Sequence, residues 1–175
     1  MKKQLKLNFT SKTKIFLVSN NLNYSNSENM LPLWIIYQNS IDCLQGDSFR
    51  VKRLRIALSL LAITKASIGK ILLIRVKDLG ILKNEPWIEI NNQRLLIQDS
   101  KAWLVIKHRW TDFNDICQGK SNGDYVFTKN MRNKNHLSRE TFTRIVNKHL
   151  RSVEQAFGFE QKLTSRIFQN RELET

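Results

Sequence analysis

Residues 51–79 read VKRLRIALSLLAITKASIGKILLIRVKDL, and the fold turns on how this stretch is read. Val51, Leu54, Leu58 and Leu61 recur at the spacing of one helix face, while Ile56, Leu60 and Ile63 carry apolar surface around to the other side. A helix that is apolar nearly all round belongs at the centre of a core. Its first turn differs, because Arg50, Lys52, Arg53 and Arg55 give it a basic start. A second helix is expected over residues 68–76, packing Ile68, Ile71, Leu72 and Leu73, with residues 78–86 as a loop. Lys65 and Lys70 interrupt the apolar run 56–74 near its centre, where charge is costly in a bilayer, so the run is not a membrane span and no membrane partner is expected.

Working outward, Asn and Ser dominate residues 19–29, which read as a loop. Residues 29–44 hold one helix starting near Pro32, with Leu33, Ile36, Tyr37 and Ile41 as its buried stripe. After Pro86 the period shortens. Residues 87–90 (WIEI) and 94–97 (RLLI) flank Asn91, Asn92 and Gln93, the pattern of two short strands around a turn. Asp99 or Ser100 can cap a helix running to about Ile116, anchored by Trp103, Leu104, Ile106 and Trp110. Residues 119–123 form a loop, 125–127 a short extended apolar stretch, and 128–136 a basic, Asn-rich loop.

The last helix has the clearest local grammar. Ser138 is placed as its N-cap, with Leu137 and Phe142 as a hydrophobic staple. Phe142, Ile145, Val146, His149, Leu150 and Val153 line one face, and Arg144, Lys148 and Arg151 form a basic stripe on the other. Such a stripe is ordinarily a solvated helix face; in a basic chain it is also placed to contact phosphates. The expected class is α+β, mainly helical, with a small antiparallel β-hairpin sheet. Residues 1–45 form an N-terminal segment, partly loop, and residues 46–175 one domain.

Composition narrows the function. The chain has 175 residues, with 29 Lys and Arg against 15 Asp and Glu, a net charge of +14. A pI near 10.1 suits a polyanion, with nucleic acid ahead of an anionic membrane surface. The excess is +3 over residues 1–45, +6 over 46–118 and +5 over 119–175, so no basic tail accounts for it. Two cysteines, Cys43 and Cys117, lack CxxC spacing and make no disulfide framework, which favours a reducing compartment. The run 15–18 is too short for a signal-peptide core. Lys, Asn and Ile occur 17 times each against 5 Ala, a bias of AT-rich coding.

Several chemistries lack their residues. No glycine-rich nucleotide loop occurs, and no cofactor is expected. His108, His136 and His149 are not at ligand spacing, and no metal site is expected. His149, on an apolar face, reads as a core histidine rather than a catalytic base. Acids are too scattered for a glycosidase or a two-metal nuclease. Trp34, Trp87, Trp103 and Trp110 read as core or rim aromatics.

Residues 51–79 also resemble the first conserved box of the tyrosine recombinases, the phage integrase family: an apolar helix, T-G-x-R-x-[SG]-E-[LI], then a helix ending near D-[IL]. Residues 125–169 look like the later part of the same catalytic domain. There YVFT (125–128) precedes LSRETFTRIVNKHLR (137–151), and LTSRIFQ (163–169) stands where the family has T-x-H-x-[FL]-R. The resemblance covers about residues 47–172 and implies a recombinase catalytic-domain fold, duplex DNA as partner, and DNA integration and recombination as the functional setting. The AT-rich bias is similar to that of plastid-encoded recombinase-like proteins, so a plastid location is expected, with the bacterial cytoplasm as the alternative.

The same resemblance implies a loss of chemistry. Family members attack a DNA phosphate with a tyrosine, and arginines, whose planar forks grip two phosphate oxygens, support the developing charge. Here Ser67 takes the first arginine position, Lys65 the neighbouring glycine position and Lys70 the acid position. In the later box Arg166 replaces the histidine and Gln169 the arginine. The hairpin turn, where the family keeps a lysine, offers Asn91, Asn92, Gln93 and Arg94. No tyrosine follows the second box, so the expected fold lacks its C-terminal part and no catalytic set is intact. Lys65, Lys70, Arg139, Arg144, Lys148 and Arg151 are the expected DNA contacts. Four readings stay open: an inactive DNA-binding recombinase domain, an enzyme completed by a partner's nucleophile, a regulatory or RNA-binding module that pairs with a full-length recombinase or with itself, and a decaying reading frame.

Overall fold

A computed structural model of the chain describes residues 33–90, 93–97 and 100–169, the side chains of residues 96 and 100–103 excepted. The expected loop at 19–29, the turn residues Asn91 and Asn92, a cap at Asp99 and the packing of Trp103 lie outside what is described.

The apolar helix, α2 (Phe49–Thr64), forms the centre, with α1 (Leu33–Asp42) preceding it. Ser48 caps α2, its hydroxyl accepting from the Val51 N–H, and Arg53, Leu54 and every residue from Ile56 to Ile63 are buried. Around α2 pack α1, α3 (Ile68–Leu72), α5 (Ser100–His108), α6 (Trp110–Cys117) and a short 3-10 turn, Ser165–Phe168. The long α7 (Arg139–Phe157) closes the body against α1, α3 and that turn. On α1, Leu33, Ile36, Tyr37 and Ile41 are buried as the spacing requires. On α7, Ser138 caps the helix through the Thr141 N–H, and Phe142, Val146, Leu150 and Val153 enter the core.

The sheet is one antiparallel hairpin, β1 (Trp87–Ile90) and β2 (Gln93–Leu96), in the register Trp87 with Leu96 and Ile90 with Gln93. Gln93 is therefore paired, and the second strand starts one residue earlier than expected. Ile88 and Ile90 face the core, and β1 leans on α4 (Val76–Leu82).

Two helical expectations need correcting. The helix expected over residues 68–76 is two helices, α3 and α4, and α4 occupies most of the expected loop 78–86. Tertiary hydrogen bonds make the break. The Ile74 carbonyl accepts from Val126 N (3.0 Å), while Val76 N donates to the Asp124 carbonyl (3.0 Å) and Lys77 N to that of Asn122 (3.1 Å). With these backbone groups taken by residues 122–126, a continuous ladder cannot form. Asp78 then restarts the helix by accepting from Arg75 N at 2.8 Å. Likewise, the helix expected to run to Ile116 is broken at Arg109 into α5 and α6. Asp112 and Asp115 tie α6 to α2, through Arg55 at 3.0 Å and Lys52 at 2.5 Å. Ile106 is buried, but Leu104 is 50% exposed and anchors nothing.

Candidate nucleic-acid interface

Several of the expected site residues stand on α3, the start of α7 and the 165–168 turn, which pack together. Ser67 is not poised for chemistry; it is the N-cap of α3, its hydroxyl accepting from Lys70 N at 3.3 Å. Lys65 has φ 54, the left-handed conformation that ends α2 and the only non-glycine positive φ among the described residues. Glycine adopts that conformation without strain. Lys70 leaves α3 toward the hairpin turn, its Nζ 3.4 Å from Gln93 Oε1.

Gly69 brings α3 close to α7. A methyl group added there would lie 3.7 Å from Arg139 Cδ and 3.8 Å from Ser67 Oγ, so the Arg139 side chain runs past the Ser67 position. Arg139, Glu140, Thr143, Arg144 and Asn147 line a shallow, open depression along the first turns of α7. Asn147 accepts from Ser165 N at 2.8 Å, docking the turn against the same flank. Within that turn Ile167 and Phe168 are buried, Arg166 is exposed and Gln169 is half-buried. The structure thus brings together Ser67, Arg139 and Arg144, while Lys70 and Arg166 are exposed on α3 and on the turn, the two elements that pack against α7. Lys148 and Arg151 continue the exposed face of α7 beyond the depression, and Lys65 is exposed at the end of α2.

Three features escaped the sequence reading. Arg53, read as part of the helix's basic first turn, is 4% exposed. Its guanidinium donates to the carbonyls of Thr128 and of Lys129 (3.3 Å) and lies 5.6 Å from the Phe49 ring and 5.8 Å from the Phe142 ring. Burial, with Arg50 nearby, holds its pKa down at about 10. Its place was readable, because residue 53 shares a helix face with Ile56 and Leu60. The second is Lys120, whose Nζ donates to the Tyr125 carbonyl (2.8 Å) and Thr128 Oγ1 (2.7 Å); burial lowers its pKa. No local sequence signal marks it. The third is Asn147.

His149 is a structural histidine. Its Nε2 donates to the Ser40 carbonyl at 2.7 Å, tying α7 to α1, and burial lowers its pKa despite that bond. Burial pushes the Cys117 thiol up to about 11, which makes it a poor nucleophile. Among the described residues, no group of His, Cys, Asp or Glu could hold a metal ion, and no helix is long and apolar enough to cross a membrane.

Among solved structures the chain is similar to the XerA recombinase, a tyrosine recombinase, with a TM-score of 0.53 over 77% of this chain. The fold is recombinase-like. Identity is 14%, so the likeness is one of fold, and the matched part spans 46% of the XerA chain. No protein family and no curated protein matches the sequence. In this recombinase-like frame, Ser67 and Gln169 stand on the elements that the sequence resemblance assigns to the two boxes, α3 with its preceding turn and the 165–168 turn with its cap.

Proposed function

We propose that this protein binds duplex DNA through the α3–α7–turn surface and does not exchange strands by itself. The observation that carries the reading is the pair of exposed arginines in the depression, Arg139 and Arg144, with Glu140 as the one acid there and with the exposed Lys70 and Arg166 on the two elements packed against α7. Arginines so grouped grip phosphate oxygens without reading sequence, so affinity depends on charge and salt more than on base identity. The recombinase-like fold supports DNA over other polyanions.

The absence of strand exchange follows from the side chains. Ser67 is neutral and its hydroxyl is committed to the α3 cap, and Gln169 carries no charge. Neither can hold the developing phosphate charge as a guanidinium would. Arg139, running beside Ser67, supplies positive charge for binding.

Fluorescence anisotropy with a labelled duplex tests the binding. Affinity should be measurable at low salt and fall steeply as salt rises, and Arg139→Gln with Arg144→Gln should weaken it about tenfold or more. Absence of binding at low salt would sink the proposal. Incubation with a nicked suicide duplex tests the chemistry: no covalent protein–DNA adduct should form, and an adduct would overturn the inactive reading.

A further inference from the structure

A second basic feature precedes α7 in the chain. From Tyr125 to Arg139 the chain reads YVFTKNMRNKNHLSR, with Lys129, Arg132, Lys134 and Arg139 and no Asp or Glu. Lys129, Arg132, Lys134 and His136 are all exposed. The loop is built rather than slack. Thr128 and His136 pair across its base, and Leu137 N donates to the Phe127 carbonyl at 2.9 Å. At its apex Asn130 Oδ1 accepts from Arg132 N and Asn133 N, each at 3.1 Å. The His136 ring meets Tyr125 edge-on at 4.8 Å between centroids.

What holds the loop is itself cationic. Arg53 donates to the Thr128 and Lys129 carbonyls, and Lys120 to Thr128 Oγ1 and the Tyr125 carbonyl. Arg53 is satisfied by carbonyls and makes no carboxylate ion pair in the described structure, and its Nε has no hydrogen-bond partner. A buried guanidinium placed this way leaves its field uncompensated at the loop base. One buried and one half-buried cation lie beneath three exposed ones, and Asp124, beside Lys120 and Lys134, is a single acid against these five charges. A polyanion supplies the remaining countercharge.

We infer that the loop 129–136 is a second duplex-DNA contact, in which Lys129, Arg132 and Lys134 engage the phosphate backbone from a preordered frame. Preordering matters because binding does not then have to freeze the loop. The inference rests on the duplex-DNA reading above and extends it to a surface that no recombinase box assigns.

The test compares variants of equal charge change. Arg132→Gln with Lys134→Gln alters the loop, and Lys77→Gln with Lys83→Gln alters two exposed lysines on and beside α4. All four side chains are exposed, so the melting temperature should hold in both. Anisotropy titrations across salt concentrations should show the loop variant weakened, with the slope of log K against log salt reduced by about 2, near 0.9 for each lost phosphate contact. The α4 variant should keep both affinity and slope. Equal weakening of the two variants would mean a net-charge effect and would overturn the inference while leaving the DNA reading standing. So would a loop variant that binds like the wild type. A slope loss confined to an RNA strand would overturn the duplex assignment. A wild-type protein that ignores DNA at low salt would end the underlying reading as well.

Discussion

At the scale of single residues, Lys65 sets a cost that the resembled family avoids. Its φ of 54 carries the chain out of α2 toward the Ser67 cap. An L-residue held left-handed gives up roughly 1–2 kcal/mol that glycine does not. Lys65→Gly should therefore raise stability by about 1 kcal/mol, or some 2–4 °C in melting temperature for a chain of this size. Calorimetry reads it, and an unchanged or lower midpoint would mean that the Lys65 side chain contributes more than the strain takes away. His149 makes a pH prediction. Burial depresses its folded pKa below the ordinary value of about 6.5. Below that value the unfolded chain takes up the proton first, so the contribution is whole above pH 6.5 and is lost as pH falls through the folded pKa. Urea midpoints should drop on acidification from about pH 7 to about pH 5, and His149→Gln, which keeps a donor for the Ser40 carbonyl, should flatten that drop.

At the scale of elements, α7 has two faces of different character. Phe142, Val146, Leu150 and Val153 hold it in the core, while Arg144, Lys148 and Arg151 remain exposed. Neutralising the three to Gln should leave the melting temperature within about 2 °C and cut the salt slope of DNA binding by about 2–3. A slope that does not move would leave the stripe as a solvated face only. Both faces were legible in the sequence, because nineteen residues of regular helix repeat one pattern without competition and Ser138 marks the start. The same holds for α2. The break between α3 and α4 was not legible, because it depends on Val126, Asp124 and Asn122 arriving from fifty residues away to take the backbone of residues 74–77. Apolar spacing alone continues through Leu73 and Ile74 as if no neighbour existed. The bend at Arg109 is of the same kind, since α6 is tied to α2 by ion pairs that no local pattern announces. The candidate site follows this division. Ser67, Arg139 and Arg144 could be named from motif and spacing, whereas Arg53, Lys120 and Asn147 act through partners distant in sequence.

At the scale of the molecule, the +14 charge is sorted, and the sorting argues for a partner. Asp112 and Asp115 on α6 are spent on Arg55 and Lys52 at the α2–α6 contact. The run from Tyr125 to Arg139 has no acid, Asp124 and Glu140 bound it, and Arg144, Lys148 and Arg151 follow on α7. Such segregation raises self-repulsion in the folded state, which a bound polyanion relieves. Duplex DNA should therefore stabilise the fold as well as bind it. At a free concentration about 100 times the dissociation constant, linkage gives about 2.7 kcal/mol. For a protein of this size that is a rise in melting temperature of roughly 5–10 °C. The rise should vanish between about 50 and 200 mM salt, where a protein with 6–10 phosphate contacts loses roughly 10³–10⁵ in affinity. Differential scanning fluorimetry with and without duplex, repeated across salt, reads both effects. A thermal shift that persists at high salt would point to contacts other than phosphate neutralisation, and no shift at low salt would mean that the sorted charge serves no nucleic acid.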